Sequence, residues 1–426
     1  MQNTTTKPLN KSLLVLSLTL TSGQSMAAGF QLNSQSATGL GRAFAGDAVI
    51  ADNASIIARN AAGMALFDSS EFSMGLTAID TEINIEDIYF NLGDDSGRGA
   101  VDDQTNSSTS FVPNIYYVKR IDDKWAIGFA EYTSFGTYHE FENDFGSEIA
   151  GASVFGGHTE IKSVNLSASV SYRVNEHWSV GGGIDLIVGQ GILERDLVVD
   201  TQVGRRDRPI SADVSVLDVD ATAYGFGYNL GAVYEVNDDH RFGLAYRYSP
   251  DLDADGDMSY LGANLNSEEL ILPLPDTLIF SGFHQLTTKF AMHYSVQWTQ
   301  WSEFDKLEIT GDSFSKTYNW EDSMHYALGA TYDINQTWTV RGGVMLDEAA
   351  QQTTTTISVP DSDREWYSAG FTYRTLEQSS IDFGFTYVKG EALDASESLV
   401  TGAPRAMTAT SEANAMIYSI QYSRSF

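Results

Sequence analysis

The sequence predicts an all-β fold, a 14-stranded antiparallel transmembrane β-barrel with an N-terminal hatch, or plug, inside its lumen. Three observations predict it. Apolar and polar residues alternate through a long train of segments, short turns interleave consistently with long loops, and an early stretch has no strand of its own.

Composition narrows the field before any motif is read. Among 426 residues there is no Cys and a formal charge of −32, so disulfide scaffolds, thiol catalysis and Cys-based zinc sites are excluded. Strong acidity argues against nucleic acid as a partner, because phosphate attachment needs clustered Lys and Arg. Aromatics at 12%, with 37 Gly and only 8 Pro, suit many strands joined by tight turns rather than disorder.

Residues 1–27 read as a secretory signal peptide. Lys7 and Lys11 supply a basic start, Leu13–Leu20 is a short apolar run, and Ser25-Met26-Ala27 offers a small-x-small cleavage pattern. The apolar run is too short to cross a membrane as a helix. Residues 28–69 follow, rich in Ala and Gly, without alternation and with only short helix-compatible patches such as Asn53–Arg59. A stretch of that size cannot bury a core of its own. Residues 70–426 are expected to form the barrel.

Six tight turns punctuate that region: Ile121–Lys124, Asn175–His177, Asn237–His240, Leu286–Lys289, Asn335–Thr337 and Glu377–Ser380. Several run straight into an aromatic, namely Trp125, Trp178, Phe242, Phe290 and Trp338, as expected for a girdle at headgroup depth. Between them lie long polar stretches near 87–109, 136–157, 200–211, 250–275, 310–319, 355–363 and 391–410 that read as loops. Six turns and seven loops give fourteen strands, with both ends of the train on the short-turn side.

Alternation assigns the faces. In the segment from Trp178, one parity gives Trp178, Val180, Gly182, Ile184, Leu186 and Val188, a lipid-facing row. The other gives Ser179, Gly181, Gly183, Asp185, Ile187, Gly189 and, further on, Arg195, a lumen row. The last segment places Met416, Tyr418, Ile420 and Tyr422 on one parity and closes on Phe426. A barrel this wide is not filled by its own side chains, so residues 28–69 are well placed to fold back into it.

The residues also resemble a known family. A-G-F-Q-L-N at Ala28–Asn33, G-L-G-R-A at Gly39–Ala43, I-A-D-N-A at Ile50–Ala54 and A-R-N-A-A at Ala58–Ala62 look like the start of the long-chain fatty acid transporters of the outer membrane, the FadL family. The likeness continues through A-Y-G-F-G-Y-N-L-G, H-Y-S-V-Q-W-T-Q-W-S-E-F and I-S-V-P-D-S-D-R-E-W. It implies a bacterial outer-membrane location and passive uptake of hydrophobic molecules. A ligand would be caught among extracellular loops, held in a lumenal pocket, and released sideways where the third strand kinks.

The resemblance and the residues together nominate a site. Arg195 and Lys316 look like family positions that bind the ligand carboxylate, and the hydroxyl of Thr133 is a third candidate. In the third strand Trp125, Ile127 and Phe129 form an apolar row that runs on to Glu131, so an interruption is expected between Phe129 and Gly136, re-aiming Glu131 and Thr133 inward. In the hatch the family carries Asn-Pro-Ala where this chain has Asn60-Ala61-Ala62, which frees the backbone at Ala61. Phe30 is expected to reach the ligand pocket. The unusually apolar run Leu270–Pro275, with Leu272 and Leu274, is a candidate lining for the entrance groove.

No catalytic or metal site is expected, and no cofactor. The seven His are scattered, Gly39-Leu40-Gly41-Arg42 follows no strand, and no G-x-S-x-G occurs. The expected partners are a long-chain fatty acid or other hydrophobic small molecule and outer-membrane lipid, with the protein a monomer. The rival readings are a relative admitting aromatic or other small hydrocarbons, an open porin, and an outer-membrane lipase.

Overall fold

The short turns show how the sequence sets the hairpins. In each of three turns one Asn or Asp carboxamide or carboxylate oxygen accepts two successive backbone N–H groups, the second belonging to the aromatic that opens the next strand. Asp122 takes those of Lys124 and Trp125, Asn175 those of His177 and Trp178, and Asn335 those of Thr337 and Trp338, at 2.8–2.9 Å. Asn237 does the same for Asp239 and His240, and the Thr287 hydroxyl for Lys289 and Phe290. The side chain stands in for a backbone turn.

The computed structural model describes residues 29–92, 97–201, 210–311, 314–351, 356–375, 378–398 and 406–426. The leader expected over 1–27 and part of the turn at 377–380 lie outside them. Fourteen strands cross in sequence: Glu71–Asn91, Gln104–Arg120, Trp125–Tyr132 continued by Gly136–Glu140, His158–Arg173, Trp178–Thr201, Ile210–Asn237 and His240–Tyr248, then Thr277–Thr287, Phe290–Thr299, Ser323–Asp333, Trp338–Asp347, Arg364–Arg374, Ser379–Gly390 and Met407–Ser425. Each pairs antiparallel with the next, and the last returns to the first from Glu71↔Ser425 to Phe90↔Met407, closing the barrel. Closure leaves no unpaired edge, as a lipid-embedded sheet requires.

The faces follow the parity read from the sequence over most of their length. Trp178, Val180 and Ile184 are exposed, while Ser179, Asp185 and Ile187 are buried. Val188, at the end of the outward row, is instead buried, paired with Val164. In the last strand Met416, Tyr418, Ile420 and Tyr422 face out, and Ile417, Ser419, Gln421 and Ser423 face in.

Several stretches expected to be loops contain strand. The sixth strand begins at Ile210, the seventh-to-eighth connection carries Leu252–Tyr260 and Leu270–Leu272, and further short strands lie at Lys306–Ile309, Phe314–Thr317 and Leu393–Glu397. Leu252–Tyr260 pairs with the sixth strand from Ala254↔Ala223 to Tyr260↔Leu217. Polar composition masked these extensions, because strands beyond the membrane no longer need an apolar outer row.

Residues 29–70 occupy the lumen. The helix-compatible patch at Asn53–Arg59 forms a helical turn, Ala54–Ala58, capped by Asn53, whose side chain accepts from the Ser55 N–H. Two more short turns, Ala37–Leu40 and Ala61–Leu66, complete the regular structure. Much of the remaining backbone bonds within the plug, as in Phe44 N–H to Gly39 O and Ile50 N–H to Gly46 O, and inward side chains of the wall take further N–H groups. Ala37 donates to Gln421 Oε1, Gly46 to Ser295 Oγ, Ala48 to Ser281 Oγ and Ala54 to Ser73 Oγ, all at 2.9–3.1 Å. The wall also makes room: a Cβ at Gly181 would lie 2.5 Å from the Ala62 nitrogen, and one at Gly343 would lie 2.2 Å from the Arg42 carbonyl oxygen. Gly181 and Gly343, both on inward parity, therefore mark two places where the plug's backbone touches the wall.

Charges tie the plug together. Asp47 pairs with Arg42 at 3.2 Å and Arg59 at 3.0 Å, and Asp52 pairs with Arg42 at 2.9 Å and with Arg341 of the eleventh strand at 3.7 Å. Removing Asp47 would leave buried Arg59 without its carboxylate partner and Arg42 with Asp52 alone, and breaking a buried pair in this way typically costs about 3–5 kcal/mol. Asp47→Ala should therefore loosen the plug while leaving the barrel folded, read as steady ion currents in planar bilayers alongside normal heat-modifiable mobility. Conductance unchanged from the parent would contradict this role.

Candidate ligand-binding site

At the top of the plug the lumen holds a packed, buried apolar cluster, an aromatic compartment filled by its own side chains. Phe30 is wholly buried and meets Trp301, Phe304 and Phe135 edge-on at centroid distances of 4.9, 5.0 and 5.9 Å. Trp320 packs on Phe304 at 4.7 Å, and Tyr318 on Phe304 at 5.0 Å. Leu272 and Leu274 belong to the same cluster and are buried. Their place is inside the compartment, not on an exposed groove, because water exclusion favours enclosing such an apolar run.

The third strand breaks where the sequence suggested an interruption. Its ladder stops at Tyr132↔Asn165 and resumes at Gly136↔Lys162, so four steps on one strand answer three on the other. That is one extra residue, a bulge. The opened backbone groups pair with the plug. Leu32 N–H donates to Ser134 O at 2.7 Å, Gly136 N–H to Phe30 O at 2.8 Å, and the Gln35 carboxamide to Thr133 O at 2.7 Å. Gln31 forms a bridge with Phe135.

Two expectations need correction here. Glu131 is not turned inward: it pairs with the outward Ile115 and Leu166, in register with Phe129, because the ladder stays regular through Tyr132. The inversion falls later and brings Thr137 and His139 inside. Thr133 is buried at the break, but Arg195 lies level with His158 and Thr159, some five or six residues up the wall, roughly 20 Å away at the rise of a strand. The structure does not bring Thr133 together with the two cations.

Those two do share a neighbourhood. Arg195 donates to His158 O at 2.7 Å, Glu194 O at 2.7 Å and Thr159 Oγ1 at 2.6 Å. Among the described residues its guanidinium makes no ion pair; Tyr318 and Glu397 act on it at longer range. Lys316, on the short strand Phe314–Thr317, sits over the Tyr318 ring at 5.6 Å and contacts Thr356 Oγ1, Ser358 Oγ and the Glu397 carboxylate. Both cations thus border the aromatic compartment through Tyr318. Glu397 carries no signal in an acidic loop sequence, and Trp301 and Phe304 stand out only within a stretch that resembles the family.

A family model described as Outer membrane protein transport protein (OMPP1/FadL/TodX) matches residues 18–426. The chain belongs to this family. Outer membrane protein P1 of Haemophilus influenzae is 36% identical, covering 99% of this chain and 100% of its own. The long-chain fatty acid transport protein of Escherichia coli is 33% identical, covering 91% and 92%. Among solved structures, a Pseudomonas aeruginosa FadL homologue matches with a TM-score of 0.81 at 20% identity, covering 94% of this chain and 100% of that one. The Pseudomonas putida toluene transporter TodX matches at 0.68 and 15% identity, covering 95% and 99%. These last two share the fold. The protein is an outer-membrane β-barrel of a family that transports hydrophobic small molecules.

Within the FadL-type hatch, the departure at Ala61 falls at a permissive position. Asn60 caps the turn Ala61–Leu66, accepting the Ala62 N–H at 3.0 Å and donating to Ala48 O at 2.7 Å, and Ala61 is the first helical residue. Proline is preorganised for that position but not needed to make the turn. Ala61→Pro should be accommodated and raise stability by about 0.4–1 kcal/mol through the unfolded chain, measured by urea unfolding in detergent; a loss of stability would show that the turn depends on the Ala61 N–H.

Asp361, in the loop between the eleventh and twelfth strands, ties the hatch to that loop. It accepts from the backbone of Ala350 at 2.7 Å and of Gly29, and pairs with Arg364 at 2.8 Å. Burial pushes its carboxyl up to about 6, with Arg364 pulling the other way. The folded state therefore holds the extra proton between about pH 4 and 6, and this group's contribution to stability falls as pH rises through that window. Asp361→Asn should flatten that part of the stability profile, and an unchanged slope would remove the assignment.

Proposed function

We propose that the protein takes up long-chain fatty acids passively, without catalysis and as a monomer. Extracellular loops capture the ligand, the aromatic compartment around Phe30 holds its chain, and Arg195 with Lys316 receives its carboxylate. The observation that carries this reading is the meeting of two cations, in a chain of net charge −32, at the border of a buried apolar cluster. An apolar sleeve with a few placed polar groups is the usual form of a ligand site.

Release sideways, past the break in the third strand, is supported by two features. The side of the plug facing the short turns opens on a vestibule lined by Asp52, Arg341, Arg374 and Asp382, a poor exit for a hydrocarbon chain. Phe30 and its neighbours are hydrogen-bonded to the break itself, so displacing Phe30 disturbs the wall at that point. The relative named for long-chain fatty acid transport supports the ligand class.

A hydrocarbon-selective transporter is the second reading, favoured by one observation: the charge of Lys316 is already met by Glu397. Oleate binding to purified protein separates the two. Arg195→Ala combined with Lys316→Ala should weaken oleate binding by about a hundredfold, as expected for losing hydrogen bonds to a charged group, with toluene binding unaffected. Equal oleate affinity in the double variant and its parent would overturn the carboxylate assignment.

A further inference from the structure

The two cations at the top of the compartment are not equivalent. Arg195 keeps its charge unpaired among the described residues, held by a backbone carbonyl pair and a hydroxyl. Lys316 is matched by Glu397, whose side chain is only 8% exposed. The second Glu397 oxygen accepts the Ile357 N–H at 3.3 Å, so the carboxylate is fixed in place from both sides. Three loop segments meet at this point: Phe314–Thr317, the stretch holding Thr356 and Ser358, and Leu393–Glu397.

We propose that Glu397 is a resident counter-anion that stands where a ligand carboxylate would bind Lys316, making it the residue that sets the protein's preference between anionic and neutral hydrophobic ligands. The inference rests on the proposed uptake of fatty acids through this site. An incoming carboxylate must exchange with Glu397 for the same ammonium and loses affinity by that competition. A neutral chain of the same length meets no such competitor. Glu397 also faces Arg195 at longer range, so it lowers the attraction of the whole cation pair for an anion. A close buried charge pair of this kind stabilises by its geometry only while both partners stay together.

Glu397→Gln keeps the shape and removes the charge. Binding of oleate and of oleyl alcohol to purified protein at neutral pH is the test, with heat-modifiable mobility reporting the fold. The variant should bind oleate about tenfold more tightly or better, the scale of one charge-assisted contact, with oleyl alcohol changed less than about twofold. Adding Lys316→Met should abolish the gain. Glu397→Asp, which retains the charge, should keep the parent's discrimination. Unchanged oleate affinity in Glu397→Gln overturns the proposal, as does an equal change for both ligands or a failure of Glu397→Gln and Glu397→Asp alike to fold, since each marks a merely structural residue. If oleate binds neither parent nor variant while oleyl alcohol binds both, the fatty acid reading fails with it; oleate binding that ignores Glu397 sinks the counter-anion alone.

Discussion

Everything in this molecule depends on how a mostly irregular stretch of backbone is kept at membrane depth. Peptide groups there have no bulk water to fall back on, and each unsatisfied one is expensive. The barrel answers with an inward row of small polar side chains. Ser73, Ser281, Ser295 and Gln421 each accept a plug N–H, and Asn60 closes a plug turn while reaching back to Ala48. The same rows alternate with the lipid-facing aromatics and aliphatics, so one period-two pattern specifies both the membrane surface and the lodging of the hatch.

That coupling extends to the third strand. One extra residue opens the ladder, and the plug's first described segment fills the gap with its own hydrogen bonds. Phe30 belongs to both arrangements at once: its carbonyl holds Gly136, while its ring plugs the aromatic compartment. A ligand that needs the space of that ring therefore acts on the wall through covalent neighbours, without a longer relay.

Much of the fold was legible because its signals are local. Asn175 before Trp178 and Asn335 before Trp338 announce hairpins by a side-chain hydrogen bond three residues long, and Trp178, Val180 and Ile184 betray the lipid face by parity. The break after Tyr132 was legible as a conflict, an apolar row ending on Glu131. Its resolution was not, because the position of the extra residue is fixed by the plug's contacts with Ser134 and Gly136, about a hundred residues away in sequence. Strand extensions such as Leu252–Tyr260 escaped for a related reason, since outside the membrane neither face is required to be apolar. At the candidate site, Arg195 and Lys316 stood out as rare cations. Glu397 was invisible as one acid among 57 Asp and Glu, and only the folded loops single it out.

The electrostatic design at the top of the lumen is then simple to describe. A buried apolar compartment is bordered by Arg195, which makes no ion pair among the described residues, and by Lys316, already matched by Glu397; under the proposed function this pair tunes the site between binding an anion and releasing it. The most direct test of the whole account is a structure of the protein crystallised with oleate. Density is expected for the acyl chain within the compartment, displacing the Phe30 ring, with the carboxylate within hydrogen-bond reach of Arg195. Oleate found only on the outer wall, with Phe30 still packed against Trp301 and Phe304, would contradict it.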